Sequence, residues 1–251
     1  MLREERHQAI LERLQLHGKV IATELSQILS VSEDTVRRDL REMDSLGLLH
    51  RVHGGALPKS PSAAHFEDRQ RDSVESKEKL AEAAISLVRN GQVILMDGST
   101  STLRVAERLP HHLMATVITN SPPIAVALAA HPKIDVVMLG GQLHKNSLVN
   151  IGAATVEALS KIRADLCFLG VCSIHPEIGI SVPYLEETYV KKQMIEASSE
   201  IVALATADKL GTASSFIVAP THALTYLITD HEVPDETLQP YRQLGISILR
   251  G

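Results

Sequence analysis

Residues 30–47 read SVSEDTVRRDLREMDSLG, and the character of the N-terminal part of the chain turns on this stretch. Ser30-Val31-Ser32 is a turn sequence. Ser32 suits a helix N-cap, because its short hydroxyl reaches backbone N–H groups that the first helical turn leaves unpaired. Glu33 and Asp34 then set negative charge against the positive end of the helix dipole. The spacing predicts a helix running to about Leu46 and stopped by Gly47. On its wheel Val36, Leu40 and Met43 share one face, while Asp34, Arg37, Arg38, Arg41 and Ser45 share the other. Three arginines in little more than one turn suit a helix lying in the major groove of DNA, since a guanidinium pairs bidentately with a guanine edge or a phosphate. Thr35 lies near the helix start, where recognition helices meet base edges. The plainer reading is a solvated face, with the arginines paired to Glu33, Asp34 and Glu42 one turn away.

The flanking sequence builds a domain around that helix. Upstream, Ile10, Leu11 and Leu14 recur at helical spacing between Arg3 and His17, and Gly18 ends the run as a C-cap. Leu25, Ile28 and Leu29 mark a brief second helix over Thr23–Leu29. Downstream, residues 48–57 (LLHRVHGGAL) place two apolar arms around a Gly-Gly pair, a hairpin pattern that reads as a wing. His50, Arg51, His53 and, just beyond, Lys59 add positive potential there. The expectation is a small winged helix-turn-helix domain over residues 1–58. Bulk charge contributes little to it, because residues 1–59 carry nine basic and nine acidic side chains and the remainder carries the whole formal charge of −5. The DNA-binding reading rests on where single cations sit.

Residues 59–76 turn to Pro, Ser, Ala and charge and are expected to be a linker. Beyond residue 77 short apolar runs alternate with helical stretches. The runs are Val93 to Met96, Val117 to Thr119, Val136 to Leu139, Leu166 to Leu169, Ile201 to Ala205, Leu224 to Ile228 and Ile246 to Leu249. Strands apolar throughout and separated by helices predict a mainly parallel sheet covered on both faces, an α/β domain over residues 77–251. With 44% hydrophobic residues and a mean hydropathy near zero, the composition is that of an ordinary globular chain. No apolar run approaches the roughly 18 residues that span a bilayer. The charged start MLREERHQAI has no leader pattern, so a cytoplasmic location is expected. Cys167 and Cys172 read as small core residues, and no metal site or cofactor is expected.

Ligands of open α/β sheets bind beyond the carboxyl ends of the strands, so the residues after each apolar run are the candidates. Val93–Met96 leads into Asp97-Gly98-Ser99-Thr100-Ser101 and then a helix. That is a cradle suited to an anion, although Asp97 or Ser99 acting as a plain helix cap explains the same residues. Other strand ends supply Thr119-Asn120, Gly140-Gly141, Gly170 and Asp208-Lys209, and Glu186, Glu187 and Lys191 open a helix.

The string Leu25-x-x-Ile28-Leu29-x-Val31-Ser32-x-x-Thr35-Val36-Arg37-Arg38-Asp39-Leu40-x-x-Met43, followed by Gly47, Arg51 and His53-Gly54-Gly55-Ala56, resembles the DNA-binding signature of the DeoR family of bacterial sugar-metabolism repressors. The resemblance covers nearly the whole chain. D-G-S-T at 97–100, I-T-N-S at 118–121, L-G-G at 139–141, D-x-C-F-L-G at 165–170, E-E at 186–187 with Lys191, A-D-K at 207–209 and I-T-D at 228–230 fall in the family's order. It implies a DNA-binding regulator, a homo-oligomer, with Ser32, Thr35, Arg37, Arg38, Arg41, Arg51 and His53 toward operator DNA. It also implies a sensor domain similar to ribose-5-phosphate isomerase that takes a phosphorylated sugar. Asp97, Gly98, Ser99, Thr100 and Ser101 would hold the phosphate, Lys209 would be their charged partner, and Asn120, Gly141 and Glu187 would lie near the sugar. One departure stands out: the family's D-S-S-K-F-G is here Thr206-Ala207-Asp208-Lys209-Leu210-Gly211. The alternatives are an isomerase-like enzyme with Glu187 as base and Lys209 as electrophile, and a protein-interaction module.

Overall fold

The computed structural model describes residues 2–58 and 65–251, so Lys59 and the first part of the expected linker lie outside the described residues. Helix α1 (Arg3–His17) ends at Gly18, whose left-handed backbone lets its N–H cap the carbonyl of Leu14 at 2.9 Å. Strand β1 (Val20–Ile21), helix α2 (Ala22–Ile28), helix α3 (Glu33–Ser45), β2 (His50–Val52) and β3 (Gly55–Leu57) complete the first unit. Its three strands form one antiparallel sheet in the order β1-β3-β2. Ile10, Leu14, Leu25, Val36, Leu40, Met43 and Leu49 close a core of their own.

The two wing glycines serve different needs. Gly54 turns the hairpin with φ +81°, whereas Gly55 is in strand β3, where a Cβ would come within 1.9 Å of the Val20 carbonyl oxygen. Asp39 was legible in the sequence only as part of a motif. It is buried on α3 and accepts two hydrogen bonds from Arg6 of α1, Nε at 2.7 Å and Nη2 at 3.0 Å. This fork clamps the first helix onto the third.

The stretch read as linker is helical where it is described. Helix α4 (Phe66–Arg71) buries Phe66, and α5 (Val74–Ile85) begins three residues earlier than the periodicity predicts. The single large aromatic anchors a charged helix too short for its pattern to show. Then follow β4 (Val93–Met96), α6 (Thr100–Glu107), β5 (Ala115–Thr119), α7 (Pro122–Leu128), β6 (Ile134–Met138), the hairpin β7 (Gln142–His144) and β8 (Val149–Ile151), and α8 (Ala153–Ser160). The rest comprises β9 (Ala164–Gly170), β10 (Ser173–His175), β11 (Gly179–Val182), α9 (Leu185–Glu196), β12 (Ser198–Leu204), a 3-10 turn at Ala207–Lys209, β13 (Phe216–Ala219), β14 (Tyr226–Thr229), α10 (Asp235–Gln243) and β15 (Ser247–Arg250).

All seven apolar runs contribute to one sheet, parallel throughout, in the order β15-β14-β12-β9-β4-β5-β6. Side chains alternate across it. Ile94 and Met96 meet Leu80, Leu103 and Ile124 of α5, α6 and α7, while Leu95 faces the core that holds Leu159, Val190, Met194 and Tyr241 of α8, α9 and α10. Cys167 and Cys172 are buried and unbonded to each other. Chain order runs outward from β4 in one direction and from β9 in the other, so the sheet's switch point lies between them. Among the described residues no helix is long and apolar enough to cross a membrane. Removing the Asp39 carboxylate takes the fork's acceptor away from a largely buried Arg6, so Asp39→Ala should lower the opening free energy of α1 and α3 by about 3 kcal/mol in amide exchange. Pairing Arg6→Met with Asp39→Leu should recover most of that loss.

Candidate functional site

The first candidate surface is α3. Ser32 caps it, its Oγ accepting from the Thr35 N–H at 3.2 Å and sharing a hydrogen bond with the Thr35 hydroxyl at 2.9 Å. Val36, Leu40 and Met43 are buried, and Arg37, Arg38 and Arg41 are exposed on the opposite side. Pairing along the helix is only partial. Arg37 Nη2 donates to Glu33 at 3.0 Å and Arg41 Nε to the Arg37 carbonyl at 3.1 Å, whereas Arg38 has no hydrogen bond or ion pair within the described residues. Glu42, a candidate partner for that face, bonds Arg3 instead. On the wing, Arg51 and His53 are exposed, and the Arg51 N–H donates to Asp44 at the end of α3.

The second surface lies at the switch point, where the sequence candidates form two groups. In the first, Asp97 is 1% exposed and its Oδ2 accepts from the Gly170 N–H at 3.0 Å and from the Lys191 ammonium. Lys191 also donates to the Gly170 carbonyl at 2.8 Å. The Gly98 N–H donates to Asn120 Oδ1 at 3.2 Å, and Asn120 in turn donates to the Asn150 carbonyl at 3.3 Å. Glu187 accepts from the Ser147 hydroxyl at 2.5 Å and lies 3.3 Å from His144 Nδ1. Gly141, at φ +144°, passes so close to Thr155 and the Ile151 carbonyl that a Cβ would clash at 2.2 and 2.6 Å. Asp97, Asn120, Glu187 and Lys191 thus form a closed polar knot whose intervening space is too narrow for a water molecule.

Burial pushes the Asp97 carboxyl upward, and the Lys191 charge works against that push. Burial by itself would lower the Lys191 pKa, but Asp97 and Glu187 outweigh it and raise the ammonium overall. An ion pair this deep is held by its partners.

The second group does line open space. Thr100 at the start of α6 and Lys209 share a small cavity with Arg69, Lys77, Thr206 and Asp208. Ser99 faces elsewhere and caps α6, accepting from the Thr102 N–H at 3.0 Å, the plainer role weighed for it. Ser101 is buried, and its hydroxyl has no partner among the described residues. Lys209 is 9% exposed and its ammonium has no hydrogen bond or ion pair within the described residues. Burial lowers its pKa. Lys77 is lowered to about 8, first by burial and next by Lys209.

Sequence reasoning passed over Lys77 and named Lys191 beside Glu186 and Glu187 without giving it a role, yet each carried a signal. Lys77 shares the apolar face of α5 with Leu80, Ala81 and Ala84, and Lys191 shares that of α9 with Glu187, Val190 and Met194. A cation on the buried side of a helix needs a partner there. Arg69 carried no such signal.

The family model of the DeoR-like helix-turn-helix domain matches residues 6–61, and that of the DeoR C-terminal sensor domain matches residues 72–231. The chain is 33% identical to the transcriptional repressor GlcR of Bacillus subtilis, over 92% of its own length and 89% of the relative's. It is 31% identical to the transcriptional regulator GolR of Listeria innocua, over 97% of each, and 29% identical to the glycerol-3-phosphate regulon repressor of Escherichia coli, over 95% of each. Among solved structures, ribose 5-phosphate isomerase A of Methanocaldococcus jannaschii is similar at 17% identity with a TM-score of 0.41, over 55% of each chain.

Replacing Asp97 by Asn leaves the Lys191 ammonium buried without its countercharge, so the urea unfolding free energy should fall by about 3 to 5 kcal/mol. The double change Asp97→Leu with Lys191→Met should restore part of it. An unaltered midpoint in Asp97→Asn would show that the pair does not hold the switch point together.

Proposed function

The chain belongs to the DeoR family of transcriptional regulators, and on that premise we propose that it represses a carbohydrate operon, reading the operator with α3 and the wing and releasing it when a phosphorylated sugar occupies the sensor domain. Relatives that match along almost the whole chain are regulators, which sets aside the isomerase reading of Glu187 and Lys209. DNA binding by a helix-turn-helix domain likewise replaces the protein-interaction alternative.

On this reading Thr35 and Arg38 meet base edges, while Arg37, Arg41, Arg51, His53 and the capped amino end at Ser32 engage the backbone and neighbouring bases. Arg38 is the strongest candidate, since it is exposed and spends no hydrogen bond inside the domain. A domain with equal numbers of acids and bases needs a second copy on an adjacent half-site for useful affinity, so the working form is at least a dimer.

The observation that carries the phosphate reading is the cavity at Thr100 and Lys209. Among the described residues three cations line it against two carboxylates, Asp72 and Asp208, at the amino end of α6, and the repulsion between Lys77 and Lys209 costs the unliganded protein. A phosphate dianion relieves that cost. Asp97, Asn120 and Glu187, as members of the knot, and Gly141, packed against Thr155, then shape the ground beneath the sugar. For the ligand to act as a switch it must favour the released arrangement by roughly 1 to 3 kcal/mol.

Arg38→Ala should weaken operator binding by about tenfold or more, with the steepness of the salt dependence reduced by about one phosphate contact if the contact is to the backbone. Equal affinity in a salt-titrated gel shift would remove Arg38 from the interface. Lys209→Met should abolish the thermal shift given by phosphorylated sugars but absent with their unphosphorylated counterparts. The Lys77 ammonium, at about 8 in the free protein, loses its charge as pH rises through that value. Below pH 8 it is charged and attracts the anion, so calorimetric affinity for a phosphorylated sugar should fall as pH is raised from 7 to 9, with proton uptake on binding near pH 8.

A further inference from the structure

Helix α4 is the first described element after residues 59–64, the segment that leads out of the DNA-binding domain. It is tied down at two points. Phe66 is buried with Leu80, Met96 and Leu103, and its N–H donates to the Asn146 carbonyl at 2.8 Å. The carbonyl of Arg69 accepts a hydrogen bond from the Lys77 ammonium, which also holds the carbonyl of Asp72.

The Arg69 side chain is different. Phe66 and Arg69 stand three residues apart and so share a face, with the guanidinium carbon 5.8 Å from the centre of the Phe66 ring. Its Nε is buried and has no hydrogen-bond partner among the described residues. The same side chain lines the cavity of Lys77, Thr100, Thr206 and Lys209, where the three cations face two carboxylates, Asp72 and Asp208. That cavity measures about 40 Å³, room for a few water-sized groups and so for a small anion, not for a sugar. An unpaired buried guanidinium N–H is costly, and a pocket holding two lysines besides it is costlier still.

We propose that Arg69 is a ligand of the effector's phosphate, so that the anion bridges the helix entering the sensor domain and the strand ends that carry Thr100 and Lys209. The inference rests on the phosphate reading of this cavity and adds to it a residue from outside the strand ends. Its consequence is mechanical. The guanidinium fork takes two phosphate oxygens and Lys209 a third, so occupancy fixes α4 against the sheet. The chain between α4 and the wing then starts from a fixed point, whereas in the free protein Phe66 and the carbonyl bonds of Lys77 alone hold the helix. Effector binding thereby reaches the DNA-binding domain through the chain itself.

The test uses the full chain with inorganic phosphate as probe and chloride at matched ionic strength as control. Arg69→Met keeps the stem over Phe66 and removes the fork, Arg69→Lys keeps the charge alone, and Lys209→Met reports on the cavity independently of α4. Calorimetry at pH 7 should show phosphate binding weakened about tenfold or more in Arg69→Met, and less in Arg69→Lys. Amide exchange over residues 66–72 should slow on adding phosphate to the wild-type protein and stay unchanged in Arg69→Met. Wild-type affinity in Arg69→Met together with loss in Lys209→Met overturns the role of Arg69 and leaves the phosphate cavity standing. Phosphate binding that neither change affects, or that the wild type lacks, overturns both. Weakened binding with no change in exchange at residues 66–72 keeps the ligand and overturns the coupling through α4.

Discussion

A carboxylate at the end of an inner strand organises the sensor domain. Asp97 leaves β4 at the point where the sheet's chain order reverses, and from there it takes the Gly170 N–H of β9 and the Lys191 ammonium of α9. Parallel strands end here with backbone groups that the ladder no longer pairs, and a buried ion pair is an expensive way to finish them unless every oxygen and proton is used. Here the use is close to complete, since Lys191 returns a bond to the Gly170 carbonyl. Close approach makes it possible: a Cβ on Gly170 would stand 2.7 Å from Ser99 and 3.0 Å from Asp97. The loop that follows is thereby fixed, Gly98 against Asn120 and Ser99 as cap of α6, so that Thr100 faces the cationic cavity from a rigid base.

The two sites handle charge in opposite ways. In the N-terminal domain three of the acids pair with arginines internally, Asp39 with Arg6, Glu42 with Arg3 and Glu33 with Arg37. Net neutrality therefore conceals a surface on which Arg38 is left unpaired, and a DNA-binding face does not need an overall basic domain. In the sensor cavity the cations Arg69, Lys77 and Lys209 outnumber the two carboxylates that line it, Asp72 and Asp208, and neither forms an ion pair with Lys209 among the described residues. One arrangement stabilises the fold and leaves a cation for a polyanion. The other leaves cations in excess around open space.

The tie between the domains is a segment whose composition suggested an unstructured linker. Phe66 alone changes its character, because one buried aromatic offsets the ordering of a short charged helix. Lys77 performs two tasks at this point. Its ammonium fastens the carbonyls of α4 while its charge, lowered by burial and by Lys209, stands in the cavity.

Much of the molecule was legible in the sequence wherever a periodicity had several residues to express itself. Val36, Leu40 and Met43 opposite Arg37, Arg38 and Arg41, and seven apolar runs separated by helices, determined the two architectures because burial of one face leaves a repeating trace. The family string fixed the class of function. Short elements left no such trace: the β7–β8 hairpin, the sheet of β10, β11 and β13, and α4 are each three to six residues long per element, too few for a pattern. Which polar residues come together was decided only by tertiary structure, since they are far apart in the chain: Asp97 pairs with Lys191, and Arg69 lines one cavity with Lys209. Sequence placed Asp97, Glu187 and Lys209 in one site. Packing divided them, closing the first two into the knot that holds the sheet and leaving Lys209 with Lys77 and Arg69 around open space, because three helix and strand ends approach there with more cations than the two carboxylates Asp72 and Asp208 can match.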